Sequence, residues 1–277
     1  MFEKNYYTLV AGLREYTLDS DTKGFDAREI VSDILEELSS SDAEAVRLLY
    51  GYYDCENIIA LRAGRAAYNP LGNLSTEELA EELESPKRLP KAVARVIRMY
   101  ADPESEEFEG ADFSMSFEKA LWTAYYNVCS RSKCRFLREW SAFDRTLRNV
   151  AAAAVARTVD RSIEEVTVGE GEIVKQLRRS SAADFGLRGE LSYIDAVIAA
   201  VNDEQNLVEK EHKIDLIRWE HAGELIPFDY FNINAILSYL VKVNIVARWV
   251  LLDVKRGREM LSRIMTELDG KELINKQ

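Results

Sequence analysis

The stretch Ile236-Leu237-Ser238-Tyr239-Leu240-Val241-Lys242-Val243-Asn244-Ile245-Val246-Ala247-Arg248-Trp249-Val250-Leu251-Leu252 decides how this chain is read. From Asn232 no Pro or Gly interrupts the sequence before Gly257, and the pattern predicts one long helix over Asn232 to Leu268. At about 100° per residue its few polar groups fall into two stripes, Ser238/Lys242 and Asn244/Arg248, with apolar side chains between them. A helix that is apolar on nearly every side is a buried helix. A membrane span would put Lys242 and Arg248 in mid-bilayer at roughly 2.5–3.5 kcal/mol each, so the helix is expected in the core of a folded protein.

The same helix carries Asn244-Ile245-Val246-Ala247, an Asn, a β-branched residue, any residue and Ala. The pattern occurs twice more, as Asn57-Ile58-Ile59-Ala60 and Asn149-Val150-Ala151-Ala152. The asparagines stand 92 and 95 residues apart, close to one third of the 277-residue chain, as an internal triplication requires. Aromatic residues precede each copy (Tyr50 and Tyr53; Trp140 and Phe143; Tyr239), and an Arg follows or closes it (Arg62; Arg157; Arg248).

Outside these copies, the punctuation is that of an all-α protein. Tyr6 to Leu13 is too short for periodicity to separate strand from helix, and helix is preferred. Asp26 caps a helix with Ile30, Val31, Ile34, Leu35 and Leu38 on one face. Ser41-Asp42-Ala43-Glu44 reads as a capping box that opens a helix running to Gly64, and Ser75-Thr76-Glu77-Glu78 as a second one for a short helix before Pro86. Another helix starts around Pro90, and the acidic stretch 102–112 is the expected boundary before the middle third. There Phe136, Trp140, Phe143, Leu147, Val150 and Ala154 alternate four and three apart, a seam that packs on another helix. A helix from Glu204 to Leu225 ends at Pro227. Strand runs with hairpin turns are missing, so the expected units are three helical ones, at residues 1–101, 102–185 and 186–277.

Composition limits the partners. With 47% apolar and 30% charged residues the chain is ordered, and a formal charge of −12 argues against nucleic acid or flat attachment to anionic lipid, both of which need a basic face. The one basic island is Arg131, Lys133, Arg135, Arg138, Arg145 and Arg148. It has two readings, a docking face for an acidic partner or counter-charge for the chain's own acidic loops, and the second is favoured because exposed charge runs are usually solvated faces. Three cysteines, Cys55, Cys129 and Cys134, and an N-terminus without a signal pattern point to the cytoplasm.

Chemistry-bearing motifs are scarce. The two histidines, His212 and His221, are nine apart and on opposite helix faces. Glu209-Lys210-Glu211-His212 holds one Glu-x-x-His, but a di-iron site needs a second such pair and two further glutamates. Gly169-Glu170-Gly171-Glu172 would repel phosphate, and no Ser or Cys has a positioned base. Neither a catalytic residue, nor a cofactor, nor a metal is expected.

Tyr239-Leu240-Val241-Lys242-x-Asn244-x-x-Ala247-Arg248-Trp249, with Lys255-Arg256-Gly257 beyond it, resembles the closing helix of the central-stalk component, called C or d, of V-type and archaeal A-type ATPases. Tyr53 to Ala63 is similar to that family's first-repeat motif, an acidic residue, then an Asn, then an aliphatic run ending in Arg-Ala. Asn5 to Leu13 resembles a bacterial branch encoded beside V-type ATPase genes. The middle copy departs most, with Asp144 five residues before Asn149 and alanines in place of leucines. The resemblance implies a funnel of three helical repeats that seats the central shaft on the membrane rotor ring, peripheral to the membrane through protein contacts, without catalysis or lipid insertion. Asp54, Asn57, Arg62, Asp144, Asn149, Asn244 and Arg248 would then be structural, satisfying one another or helix ends. The alternative is a cytoplasmic helical interaction scaffold unrelated to any ATPase. A helical metal-carboxylate oxidase built on Glu209 and His212 is a distant third.

Overall fold

Three long helices carry the three asparagines: α3 (Ser40–Arg62), α7 (Arg135–Thr158) and α12 (Ile233–Leu252). The computed structural model describes residues 4–18, 24–202 and 207–252, and all regular structure among them is helical. The expected continuation of the last helix past Leu252, Lys255-Arg256-Gly257 and the Glu204 helix start lie outside the described residues.

Before α3 come α1 (Tyr7–Gly12) and α2 (Ala27–Glu37), and after it α4 (Thr76–Glu84) and α5 (Lys91–Ala101). The middle of the chain forms α6 (Phe117–Ser130), α7, the single turn α8 (Ile163–Val166) and α9 (Glu172–Arg179), then α10 (Ile194–Asn202) and α11 (Leu207–Glu224). Asp26 accepts from the amides of Arg28 and Glu29, and Ser75 with Glu78 makes the full reciprocal cap expected of it. The cap of α3 is not at Ser41 but two residues earlier. Ser39 accepts from the Asp42 amide, and its own amide donates to the Tyr6 hydroxyl at 3.1 Å, so a tertiary contact fixes which serine starts the helix. The acidic stretch after α5 is not wholly solvated, because Phe108 in its 3-10 turn is buried. The helix α9 was not legible, as glycines flank it on both sides.

Two apolar cores share α3. Val46, Leu49 and Tyr50 join the larger one with α7, α10 and α12, whereas Cys55, Ile58 and Ile59 join the smaller one with α4, α5 and α6. On α12, Ile236, Leu237, Leu240 and Val243 have no exposed surface, and Ser238 donates to the Ala222 carbonyl of α11 at 2.6 Å. By length and composition alone α12 would pass for a membrane span, but more than half of its best window is already buried within the protein.

An apolar helix with a buried amide in its middle must give that amide partners. Asn57 does so by gripping the backbone of one residue, Asn69, in the loop behind it. Its Nδ2 donates to the Asn69 carbonyl at 2.9 Å and its Oδ1 accepts from the Asn69 amide at 2.6 Å. Asn149 grips Val168 in the same way, at 2.9 and 2.8 Å. Each gripped loop carries a glycine where it comes close. A Cβ on Gly72 would sit 2.8 Å from Asp54 Oδ1, and one on Gly169, which has φ +80°, would sit 3.1 Å from Arg145 Nη1. The parallel extends to the helix ends. Arg62 donates to the Tyr100 carbonyl and covers the Phe117 ring at 4.0 Å, while Arg157 donates to the Ala182 carbonyl and covers Phe185 at 3.6 Å.

Asn149→Ala removes both bonds and takes the side-chain partner from the Val168 amide and carbonyl, which costs about 1–3 kcal/mol. Urea denaturation of this variant and of Asn57→Ala should show losses of similar size. An unchanged midpoint for either would mean that its grip contributes nothing.

Candidate functional site

Between α3, α7, α11 and α12 lies a cavity of about 870 Å³. Its walls combine aromatic rings, Tyr52, Tyr53 and Trp140, with a chain of charges. Asp144 accepts from Arg148 Nε at 2.7 Å, from Arg218 Nε at 3.2 Å and from the Tyr126 hydroxyl at 2.9 Å. Arg218 continues to Asp215 at 3.0 Å, and Asp215 also accepts from Arg248 at 2.6 Å and from the Trp249 indole at 3.1 Å. Arg248 ends the chain on Glu211. Three guanidinium groups thus alternate with three carboxylates, and the sum of charge is zero.

Local geometry explains the alignment. Asp144 and Arg148 are four apart on α7, and Glu211, Asp215 and Arg218 are spaced four and three on α11, so each set shares one helix face. Arg148 also stands 4.5 Å from the Tyr52 ring centroid, which brings α3 into the network. The Asp215 side chain is only 2% exposed, while that of Arg148 is 42% exposed. Arg148 lines the cavity. A little above the network, the Tyr50 hydroxyl donates to Asn244 Oδ1 at 2.7 Å.

The network favours the charged forms of Asp144, Arg148 and Arg248. Burial alone would raise the Asp144 pKa, but the Arg148 and Arg218 guanidiniums overcome it and hold the carboxyl below its ordinary value. Burial with opposing effects from its charged neighbours pushes Tyr52 up to about 12. Such a lining offers paired charge and aromatic surface.

The residues singled out in the sequence divide into four groups. Asp54 accepts from the Leu74 amide at 3.1 Å and from Asn73 Nδ2 at 2.6 Å, and with Asn57, Arg62 and Asn149 it ties a long helix to the segments that follow. Asp144 and Arg248 do not repeat the parts of Asp54 and Arg62, since both pair with side chains of opposite charge. Asn244 bonds a tyrosine of another long helix where Asn57 and Asn149 bond a loop. The basic island of Arg131, Lys133, Arg135, Arg138, Arg145 and Arg148 divides, and Arg135 and Arg148 pair with the chain's own carboxylates. Arg145 and Arg148 turn to the interior, Arg145 toward the Tyr126 ring and Arg148 onto Asp144. At the other end of α7, Arg135 pairs with Asp229 and Glu139, and Arg138 donates to the Ser132 and Lys133 carbonyls.

The sequence did not reveal Asp215, nor that Glu211 pairs with Arg248 and Tyr50 with Asn244. A carboxylate pair four apart, facing a buried Arg on another apolar helix, was the signal available for the first two. His212 meets the Trp249 ring edge-on at 5.5 Å, and among the described residues no three His, Cys, Asp or Glu side chains are grouped to hold a metal.

These features define an all-helical protein whose long helices enclose a cavity lined by compensated charge. The chain belongs to the family described as "Protein of unknown function (DUF2764)", whose model matches residues 3–271. A comparison with curated proteins gives no match.

Asp215→Ala leaves Arg218 and Arg248 without their shared carboxylate and should cost about 3–5 kcal/mol in chemical denaturation, the usual result of removing one partner from a buried pair; a loss below about 1 kcal/mol would count against the network. The Asp144 pKa is lower in the folded protein than in the unfolded chain. Its contribution is therefore present above the unfolded value of about 3.9 and is lost as pH falls through the folded value. Stability of the native protein should drop steeply below about pH 4, and Asp144→Asn should be weaker at neutral pH with a shallower fall in acid. Parallel pH profiles for the two proteins would contradict the assignment.

Proposed function

We propose that this chain is a non-catalytic rotor component of a V-type or A-type ATPase, of the C or d kind, that couples the central shaft of the catalytic head to the membrane rotor ring. In this reading three pseudo-repeated helical units, 1–101, 102–185 and 186–277, form a funnel on the cytoplasmic side, attached to the membrane through the ring. The observation that carries it is the grip that Asn57 and Asn149 each place on the loop behind their helix, with an arginine at both helix ends covering a ring. That agreement at atomic level supports a common ancestry for at least two of the three units. The resemblance of the Asn244 helix to the family's closing helix supplies the third.

The cavity suits the same reading. A part that transmits torque needs stiff walls and a lining that releases its partner, and a compensated ion-pair chain spanning α7, α11 and α12, with a cation–π contact to α3, supplies the stiffness. The foot of the shaft would enter from the open side and meet Tyr52, Tyr53 and the exposed surface of Arg148.

Affinity purification of the tagged protein from native membranes tests the proposal. Rotor-ring and shaft proteins should co-purify in stoichiometric amounts. Recovery of other helical partners without either of them would favour the scaffold alternative.

A further inference from the structure

At the end of the molecule away from the cavity's arginines, the connection between α11 and α12 displays aromatic rings to solvent. Phe228 is 85% exposed, Tyr230 66% and Phe231 38%, and Tyr7 of α1 joins them at 59%, its ring 4.8 Å from that of Phe231. Single exposed apolar residues need no account, but three rings in contact, Tyr7, Phe231 and Tyr230, with Phe228 exposed in the same loop, do.

The loop is held in place by its backbone and its polar residues. The Tyr6 amide donates to the Phe231 carbonyl at 2.6 Å, and Asp229 gathers the side chains of Asn232, Asn234 and Arg135. Asn234 in turn accepts from the Phe136 amide at the start of α7. The rings are therefore displayed by a fixed scaffold, and exposures this high describe a knob rather than the lining of a groove.

The α7 end brings positive charge to the same place. Arg131 and Lys133 are exposed and, with Arg138 and Lys4, have no carboxylate within salt-bridge distance among the described residues, while Arg135 is more than offset by two carboxylates, Asp229 and Glu139. Opposing them are Asp42, held by the Tyr6 and Ser39 hydroxyls, and Glu224, held to His221. On a chain of net charge −12, the five cations named here, Lys4, Arg131, Lys133, Arg135 and Arg138, outnumber by one the four carboxylates named with them among the described residues.

We propose that Tyr7 and the 228–231 loop, with Lys4, Arg131 and Lys133 beside them, form an interfacial docking surface for an anionic lipid bilayer. Phe and Tyr rings that protrude beside basic side chains match the headgroup boundary, where rings enter the acyl edge and cations meet lipid phosphates. A protein partner would need a matching concave pocket for each ring; a bilayer yields to all of them. The net charge misses this because it averages over a surface on which the fold separates the signs. The proposal goes beyond the rotor reading and does not depend on it.

Sedimentation of the full-length chain with lipid vesicles is the test. The native protein should partition onto vesicles of phosphatidylcholine with about one-third phosphatidylserine, more weakly onto phosphatidylcholine alone, and less as salt rises. Phe228→Ser with Tyr230→Ser should lower partitioning about tenfold or more, and Lys133→Glu about fivefold or more on the anionic vesicles only. Both variants change exposed side chains and should melt like the native protein. Protein left in the supernatant at millimolar lipid, or partitioning that neither variant alters, would overturn the proposal. So would variants that keep vesicle binding but lose a protein partner. No ATPase component is present in these vesicles, so a negative result leaves the rotor reading standing.

Discussion

A buried amide in an apolar helix has no water to turn to, and this structure is arranged around that constraint. Asn57 and Asn149 satisfy theirs by closing two hydrogen bonds on the amide and carbonyl of a single residue of the following loop. Each grip fixes where the chain turns back on its long helix, and so fixes the placement of α4 against α3 and of α9 against α7. Asn244 solves the same problem across helices, through the Tyr50 hydroxyl, and ties α12 to α3. The polar groups that look out of place in the sequence are thus the ones that set the register of the apolar ones.

The second constraint is the charge placed between α7, α11 and α12. Taking carboxylates and guanidiniums out of water is costly, and such groups persist when they neutralise one another with good geometry. The Arg148–Asp144–Arg218–Asp215–Arg248–Glu211 chain does this across three helices. Replacing such a network with apolar side chains would often be neutral for stability, so its presence bears on rigidity and on what the cavity can admit. The apolar cores on both sides of α3 supply the bulk of the folding free energy, and the network sets the spacing of the walls.

Much of this was legible in the sequence, for identifiable reasons. Helix class, the caps at Asp26 and Ser75, the stop at Pro227 and the burial of Ile236 to Val243 all follow from local pattern, since periodicity and capping chemistry act within a few residues. Spacing revealed the repeated asparagines, but nothing in it said that two of them would grip loops 12 and 19 residues away, because loop length varies where the grip does not. The cap of α3 was misplaced since Tyr6, more than thirty residues away, selects Ser39. The cavity network was read only in fragments: Asp144, Arg148 and Arg248 were singled out, yet Asp215 and Glu211, which join them, passed as an ordinary charged helix face. A basic run that appeared continuous along α7 divides into interior and surface groups once the helix winds.

Amide hydrogen exchange at two positions tests the central claim most directly. Asn69 and Val168 lie in connecting segments, where backbone amides ordinarily exchange fast, but each donates to a buried asparagine oxygen. They should be protected to a degree comparable with the α3 and α7 amides and distinct from their loop neighbours. Exchange at the rate of unprotected loop amides at either position would contradict the claim that the asparagines hold the turns of this fold in place.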